Sequence, residues 1–129
     1  MPKTIILVED DAAITDVYET ILRQNKFEVF SIISGNEALK KVEEIKEGKA
    51  KKPDLVLLDL ILPDINGIKV LELIRKYSET KDIPVFILTN YSSRELKKMG
   101  YNLEAENYLT KTDFTPTQLL EIIKEKLRH

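Results

Sequence analysis

Three unbroken apolar runs, at residues 5–8, 55–58 and 85–88, constrain the fold of this chain more than any other feature. A short run without polar alternation is typical of a strand buried on both faces, and such strands belong to parallel sheets covered by helices. Residues 27–33 and 107–109 predict two further strands. The sequence therefore predicts a sheet of five strands with its centre built from the three apolar runs.

Stretches with helical periodicity separate these runs, because apolar residues recur there at intervals of three and four. Helix starts are indicated by capping boxes at 34–37 and 92–95 and by Thr115 followed by Pro116. The helix after Ser92 carries few apolar residues and is predicted to be short, ending near Gly100. The predicted buried stripes are Ile14, Val17, Tyr18, Ile21 and Leu22; Ala38, Leu39, Val42 and Ile45; Val70, Leu71, Ile74 and Tyr77; and Leu119, Leu120, Ile123 and Leu127. Five alternating strand and helix units predict a doubly wound α/β sheet.

Composition removes several classes of function. The chain has 129 residues, which predicts one domain, 1–129, with no second domain after the last helix. There is no cysteine, which excludes thiol chemistry and zinc–thiolate sites. The single histidine is His129, so histidine-based catalysis would depend on the last residue of the sequence. A net charge of −2 argues against direct nucleic-acid binding. No apolar run suits a membrane span or a signal peptide, so we expect a cytoplasmic protein.

Chemistry-bearing residues follow the predicted strands. Ligands of open α/β sheets bind outside the carboxyl ends of the strands, so the residues directly after each apolar run are the candidates for a site. These residues are Glu9, Asp10, Asp11, Asp59, Thr89, Asn90 and Lys111. Acids, a hydroxyl group and a lysine are thus predicted to meet at one edge of the sheet.

Asp59 is the most informative of these residues, because it places a charge inside the apolar run from 55 to 62, where a carboxylate without a partner is costly. Two carboxylates about 4 Å apart repel each other by roughly 4 kcal/mol at an effective dielectric near 20. A hard divalent ion such as Mg²⁺, or the ammonium of Lys111, would offset that repulsion. Asp59 could then attack phosphorus as a nucleophile while Thr89 donates its hydroxyl to the transferring group.

Four segments carry a resemblance to a known family: VEDD at 8–11, DLILPDING at 59–67, LT at 88–89 and YLTK at 108–111. In this order and spacing, which covers nearly the whole chain, they resemble the receiver domains of bacterial two-component response regulators. The resemblance implies a flavodoxin-like doubly wound parallel sheet of five strands, order 2-1-3-4-5, with five helices. It also implies that a histidine kinase or phosphotransfer protein donates a phosphoryl group to Asp59.

The resemblance assigns roles to single residues. It implies that Asp59 is the acceptor and, with Asp10 and the backbone carbonyl of Ile61, binds Mg²⁺ directly, while Glu9 binds it through water. Thr89 and Lys111 would hold the phosphoryl oxygens, and Tyr108 would be an aromatic switch that moves with Thr89. The remaining two assignments are that Asp11 caps the first helix and that Gly67 supplies backbone freedom that a side chain would deny.

Three positions depart from the family pattern. Thr112 stands where the family usually has a proline, commonly with a cis bond; because a cis non-proline bond costs about 3–4 kcal/mol, we expect a trans or a strained peptide between Lys111 and Thr112. Asn90 is larger than the usual residue after the threonine, and Ile61 cannot orient a water by hydrogen bonding. We therefore predict slow loss of the phosphoryl group from Asp59, over minutes or longer.

The function expected from these features is a phosphorylation switch rather than an enzyme, with a protein partner that reads the face of helix 4, strand 5 and helix 5. A docking module of the same fold that is never phosphorylated is the main alternative. A Mg²⁺-dependent phosphohydrolase is disfavoured because Ile61 stands where such enzymes carry a general acid. A flavin carrier is disfavoured because residues 9–11 would repel the flavin phosphate.

Overall fold

The computed structural model of the chain describes residues 2–91, 93–98, 107–111 and 114–128. The strands are β1 (Thr4–Val8), β2 (Glu28–Ile32), β3 (Leu55–Asp59), β4 (Val85–Thr89) and β5 (Asn107–Thr110). The helices are α1 (Ala12–Gln24), α2 (Gly35–Lys46), α3 (Ile68–Lys76), α4 (Ser93–Lys98) and α5 (Pro116–Leu127). None of these helices has the length and apolar character that crossing a membrane requires.

The five strands form one parallel sheet in the order β2-β1-β3-β4-β5, which confirms the predicted topology. Every residue of β1, β3 and β4 is buried, as the three unbroken apolar runs predicted. The edge strand β2 is less buried: Val29 and Ile32 are buried, whereas Phe30 is exposed. The order reverses its direction between β1 and β3, so a crevice lies at the carboxyl ends of these two strands.

Helices cover both faces of the sheet and create two hydrophobic cores. Buried side chains of α1 and α5 pack on one face, and those of α2, α3 and α4 pack on the other. Even the short helix α4 contributes one buried leucine, Leu96. Two predicted caps are observed at helix starts: Ser34 accepts a hydrogen bond from the Glu37 amide, and Thr115 forms a capping box with Gln118. The predicted cap at Ser92 and the helix end near Gly100 lie outside the described residues.

Two predicted helix positions were wrong. Val17 was assigned to the buried stripe of α1, yet it is 46% exposed, whereas Tyr18 and Leu22 are buried. At 100° per residue Val17 lies about 120° round the helix from the direction of that buried pair. Tyr77 was placed in α3, yet it lies after the last helical residue in an extended conformation. Its hydroxyl donates to Glu43, so its position follows from contact with α2 and not from helical spacing.

The segment between β3 and α3 folds back tightly on the end of β3. Ile61 and Asn66 form an antiparallel bridge, and the Gly67 amide donates to the Leu60 carbonyl at 2.7 Å. A Cβ atom on Gly67 would lie 2.3 Å from the Asp59 carbonyl oxygen, so a side chain does not fit there. The φ of Gly67 is −57°, which any residue adopts, so the expectation of special backbone freedom was wrong: glycine is required here by space.

Candidate functional site

The carboxyl ends of β1 and β3 bring two buried acids together. Val8 is paired with Leu58 in the sheet, so Glu9 and Asp59, the next residue of each chain segment, lie side by side. Glu9 is 1% exposed and Asp59 is 3% exposed. Asp10, which follows Glu9, is exposed at the mouth of the same crevice. The predicted meeting of acids at this edge of the sheet is confirmed.

Glu9, Asp10 and Asp59 form a group that could hold a metal ion. One carboxylate oxygen from each residue lies within 4.8 Å of the other two. Hard oxygen donors of this kind are the ligands that Mg²⁺ prefers, and one or two carboxylates with several waters satisfy it. The donor set therefore fits a hard divalent cation, and Asp10 places one of the three acids on the solvent-exposed side of the site.

Lys111 lies between the two buried acids. Its Nζ is 2.7 Å from Glu9 Oε1 and 3.1 Å from Asp59 Oδ2, and its side chain is only 13% exposed. The backbone holds it there, because the Lys111 amide donates to the Thr89 carbonyl at 2.7 Å at the end of β5. The lysine is thus the cation that the sequence predicted would offset the repulsion between the carboxylates.

The protonation behaviour of this cluster follows from burial and charge. Burial raises the pKa of Glu9, the nearby carboxyl of Asp59 raises it further, and the hydrogen bond from Lys111 opposes both effects. Burial acts to lower the pKa of Lys111, but its bonds and charge interactions with Glu9 and Asp59 outweigh burial and raise it. Lys111 therefore stays charged beside the two buried acids.

Backbone amides fix the orientation of both acids. The Ile61 amide donates to Asp59 Oδ1 at 3.0 Å, while Lys111 takes the other oxygen, so each oxygen of Asp59 has its own donor. The Asp11 amide donates to Glu9 Oε2 at 3.3 Å. Asp11 Oδ1 itself accepts from the amides of Ala13 and Ile14, which confirms its predicted role as the cap of α1.

Thr89 ends β4 and is fully buried. Its Oγ1 accepts a hydrogen bond from the Tyr91 amide at 3.1 Å, and that bond leaves the hydroxyl proton available for another acceptor. Tyr108 occupies β5 beside Ile87, but its side chain lies outside the described residues. Thr112 also lies outside them, so the geometry of the peptide after Lys111 stays a prediction.

A sequence model of the response regulator receiver domain matches residues 5–124. The chain belongs to the response regulator receiver domain family. A curated relative of this receiver domain is the phosphate regulon transcriptional regulatory protein PhoB of Klebsiella pneumoniae, 33% identical over 128 residues. The alignment covers 99% of this chain and 53% of PhoB, so the chain spans about half the length of that relative.

Two solved structures share the fold of this receiver domain. The CheY-like response regulator receiver domain protein of Methanospirillum hungatei JF-1 is 34% identical with a TM-score of 0.82, covering 99% of this chain and 95% of its own. The phosphorylated cyanobacterial phytochrome response regulator RcpA is 32% identical with a TM-score of 0.79, covering 97% and 91% of the two chains. Receiver domains are signalling domains of two-component systems and not classical enzymes, which argues against the phosphohydrolase and flavin-carrier alternatives.

Sequence reasoning missed one contact beside the site of this receiver domain. The Asp64 carboxylate, in the segment after Asp59, accepts from the amides of Gly35 and Asn36 at the start of α2. The partners are 28 and 29 residues apart, and neither periodicity nor a local motif connects them. The one available signal was an aspartate after Pro63 in a loop, and that pattern predicts a local turn rather than a contact with a distant helix.

Proposed function

We propose that this receiver domain is a phosphorylation switch in which Asp59 accepts a phosphoryl group from the phosphohistidine of a histidine kinase or phosphotransfer protein. The observation that supports the proposal most is the pair of donors on the Asp59 carboxylate. The Ile61 amide orients one oxygen and Lys111 contacts the other, in a pocket with two further acids. Neighbouring acids are unfavourable for a buried aspartate, so their presence around Asp59 is more readily explained by a reactive role than by a structural one.

The proposed step is a direct displacement at phosphorus. One oxygen of the ionised Asp59 carboxylate forms a new oxygen–phosphorus bond as the phosphorus–nitrogen bond of the donor breaks, and the imidazole leaves with the electron pair of that bond. Lys111, held at the Asp59 carboxylate, stabilises the charge on the phosphoryl oxygens. Thr89 donates its hydroxyl proton to one of these oxygens.

We assign the divalent cation to Glu9, Asp10, Asp59 and the backbone carbonyl of Ile61. When bound there, Mg²⁺ supplies positive charge that offsets the acids and the phosphoryl group. The phosphoryl group adds about −1.5 to −2 charges to the site. Lys111, which already contacts two carboxylates, is the chain's own group for absorbing part of that charge.

The signal would pass from Thr89 to Tyr108. We propose that movement of the Thr89 hydroxyl toward the phosphoryl group is accompanied by movement of Tyr108, and that α4, β5 and α5 then present a changed surface to a downstream protein. Within its described residues, Ser93–Lys98, α4 contributes one leucine, Leu96, to the core, and this light packing favours the assignment.

Incubation of the purified chain with acetyl phosphate and Mg²⁺, followed by intact mass measurement, tests the proposal. We expect a gain of about 80 Da, the mass of one phosphoryl group. Asp59→Asn should abolish the gain, and Asp16→Asn, which changes an exposed aspartate of α1, should keep it.

A mass gain that survives Asp59→Asn would contradict the assignment of the acceptor. If the wild-type chain gains no mass and binds its downstream protein equally well before and after incubation with acetyl phosphate, the docking module is favoured instead. That alternative rests on Thr112, which replaces the proline usual in the family next to Lys111.

A further inference from the structure

The carboxylate of Asp64 joins the loop after Asp59 to the start of α2. Its Oδ1 accepts from the Gly35 amide and its Oδ2 from the Asn36 amide, both at 2.8 Å. The first amides of a helix have no partner within the helix and carry the positive end of its dipole, so a carboxylate is the acceptor best suited to them. We call this contact of Asp64 with Gly35 and Asn36 the α2 clamp.

The α2 clamp leaves no space between the loop and the helix. A Cβ atom on Gly35 would lie 2.1 Å from Cγ1 of Ile65 and 3.3 Å from Oδ1 of Asp64. Real Cβ atoms do not approach other atoms at 2.1 Å, so a side chain at residue 35 would push the loop away from α2. Glycine therefore permits the approach, and Asp64 fixes it.

A short chain of contacts runs from the α2 clamp to the Asp59 carboxylate. Asp64 lies inside the tight turn closed by the Ile61 and Asn66 bridge. At the base of that turn, Gly67 lies against the Asp59 carbonyl. The Ile61 amide, on the other arm of the turn, donates to Asp59 Oδ1 at 3.0 Å. A displacement of the turn would therefore move the donor that orients the acceptor carboxylate.

We propose that Asp64 is a positioning residue for Asp59: by anchoring the turn to α2 it holds the Ile61 amide where it orients the acceptor oxygen. The proposal rests on the function proposed above, since it assigns a supporting role in the same phosphoryl transfer. It adds a residue outside the acidic cluster, and it couples α2, which packs on the same face of the sheet as α3, to the acceptor.

Charge supports the same assignment. The amide hydrogen bonds from Asn36 and then Gly35 lower the pKa of Asp64, so the carboxylate is ionised throughout the neutral range and both bonds are charge-assisted. The side chain is exposed, so the contact acts through geometry and two directed bonds more than through a net gain in stability.

Asp64→Ala and Ser34→Ala form a matched pair for the test. Both remove a side-chain acceptor from the amides at the start of α2, since Ser34 Oγ accepts from the Glu37 amide at 3.2 Å. Of these two residues, Asp64 belongs to the loop after Asp59, whereas Ser34 directly precedes α2. In a titration of acetyl phosphate with Mg²⁺, we expect Asp64→Ala to lower the maximal rate of phosphorylation about 10-fold, with little change in the half-saturating donor concentration. Ser34→Ala should leave both values unchanged.

Hydrogen exchange of the Ile61 amide gives a second readout that does not depend on phosphorylation. We expect Asp64→Ala to speed this exchange and Ser34→Ala to leave it unchanged, while both variants lower the melting temperature. Equal rates of phosphorylation and equal Ile61 exchange in the two variants would overturn the proposal. If the wild-type chain takes no phosphoryl group, the function proposed above is wrong, and the exchange comparison still decides whether Asp64 holds the turn.

Discussion

Thr4, in β1, is 1% exposed, and its hydroxyl has no hydrogen-bond partner among the described residues. A buried hydroxyl without a partner costs desolvation energy and returns nothing, whereas a methyl group of the same shape costs none. We predict that Thr4→Val raises the free energy of unfolding by about 1 kcal/mol in denaturant titrations.

Thr80→Val is the matched control for that change. Thr80, which follows the end of α3, is also fully buried, but its Oγ1 donates to the carbonyl of Ile74 at 2.7 Å. Removing this bond should lower the free energy of unfolding by about 1 kcal/mol. If the two substitutions change the free energy of unfolding in the same direction, the prediction is wrong, because the presence or absence of a hydrogen bond to the hydroxyl would not decide the sign of the effect.

Ile61, two residues after the acceptor, is 55% exposed beside the site. Its side chain offers no hydrogen bond to the water that would hydrolyse a phosphorylated Asp59, which is the basis for the predicted slow decay. We expect decay over minutes or longer in the wild-type chain and faster decay in Ile61→Asn, followed by intact mass after removal of the donor. Decay within seconds in the wild type would contradict this interpretation of Ile61.

At the scale of single elements, the end of α1 carries the one positive φ among the described non-glycine residues, 69° at Lys26. Amides of Lys26 and Phe27 bond back to the last turn of the helix, a geometry that favours glycine. Lys26→Gly should raise the free energy of unfolding by about 0.5–1 kcal/mol, because the left-handed strain exceeds the added entropy of the unfolded chain. Gly48→Ala, at a φ of 76°, should lower it by a similar amount.

The contact of Asp64 with the start of α2 should make the stability of the folded chain depend on pH. The pKa of Asp64 is lower in the folded chain than in the unfolded chain, owing to the Asn36 and Gly35 amides. Its stabilising contribution is therefore complete above the ordinary pKa of an aspartate and is lost as the pH falls through the lowered value. The difference in melting temperature between wild type and Asp64→Asn should be constant near neutral pH and shrink in acid. The difference for Ser34→Ala should not change with pH.

For the molecule as a whole, burial explains what could be predicted from the sequence. The three central strands are buried on both faces, so each contains an unbroken run of four apolar residues, and that run marks its position in the sequence. The parallel topology alone predicts that the acids and Lys111 lie at the same edge of the sheet, at the carboxyl ends of its strands. This is why the cluster was predictable from residue order while its distances were not.

Contacts between distant segments set the limits of that prediction. The contact of Lys111 with Asp59 joins residues 52 positions apart, and the contact of Asp64 with α2 joins residues almost 30 positions apart. Tyr77 kept a helical interval from Ile74 by coincidence, since its place is decided by Glu43 and by Lys46, whose Nζ lies 4.4 Å from the ring centroid. Such contacts depend on packing in three dimensions, which a periodic pattern does not encode.

Chemical trapping of the modified residue identifies the phosphoryl acceptor itself. Borohydride reduces the mixed anhydride of a phosphorylated aspartate to the alcohol homoserine, and peptide mapping then identifies the residue. After treatment with acetyl phosphate and Mg²⁺, we expect homoserine at position 59 and no reduced side chain at any other aspartate or glutamate. Trapping at Glu9 or Asp10, or a phosphorylated chain in which Asp59 is unaltered, would contradict this prediction.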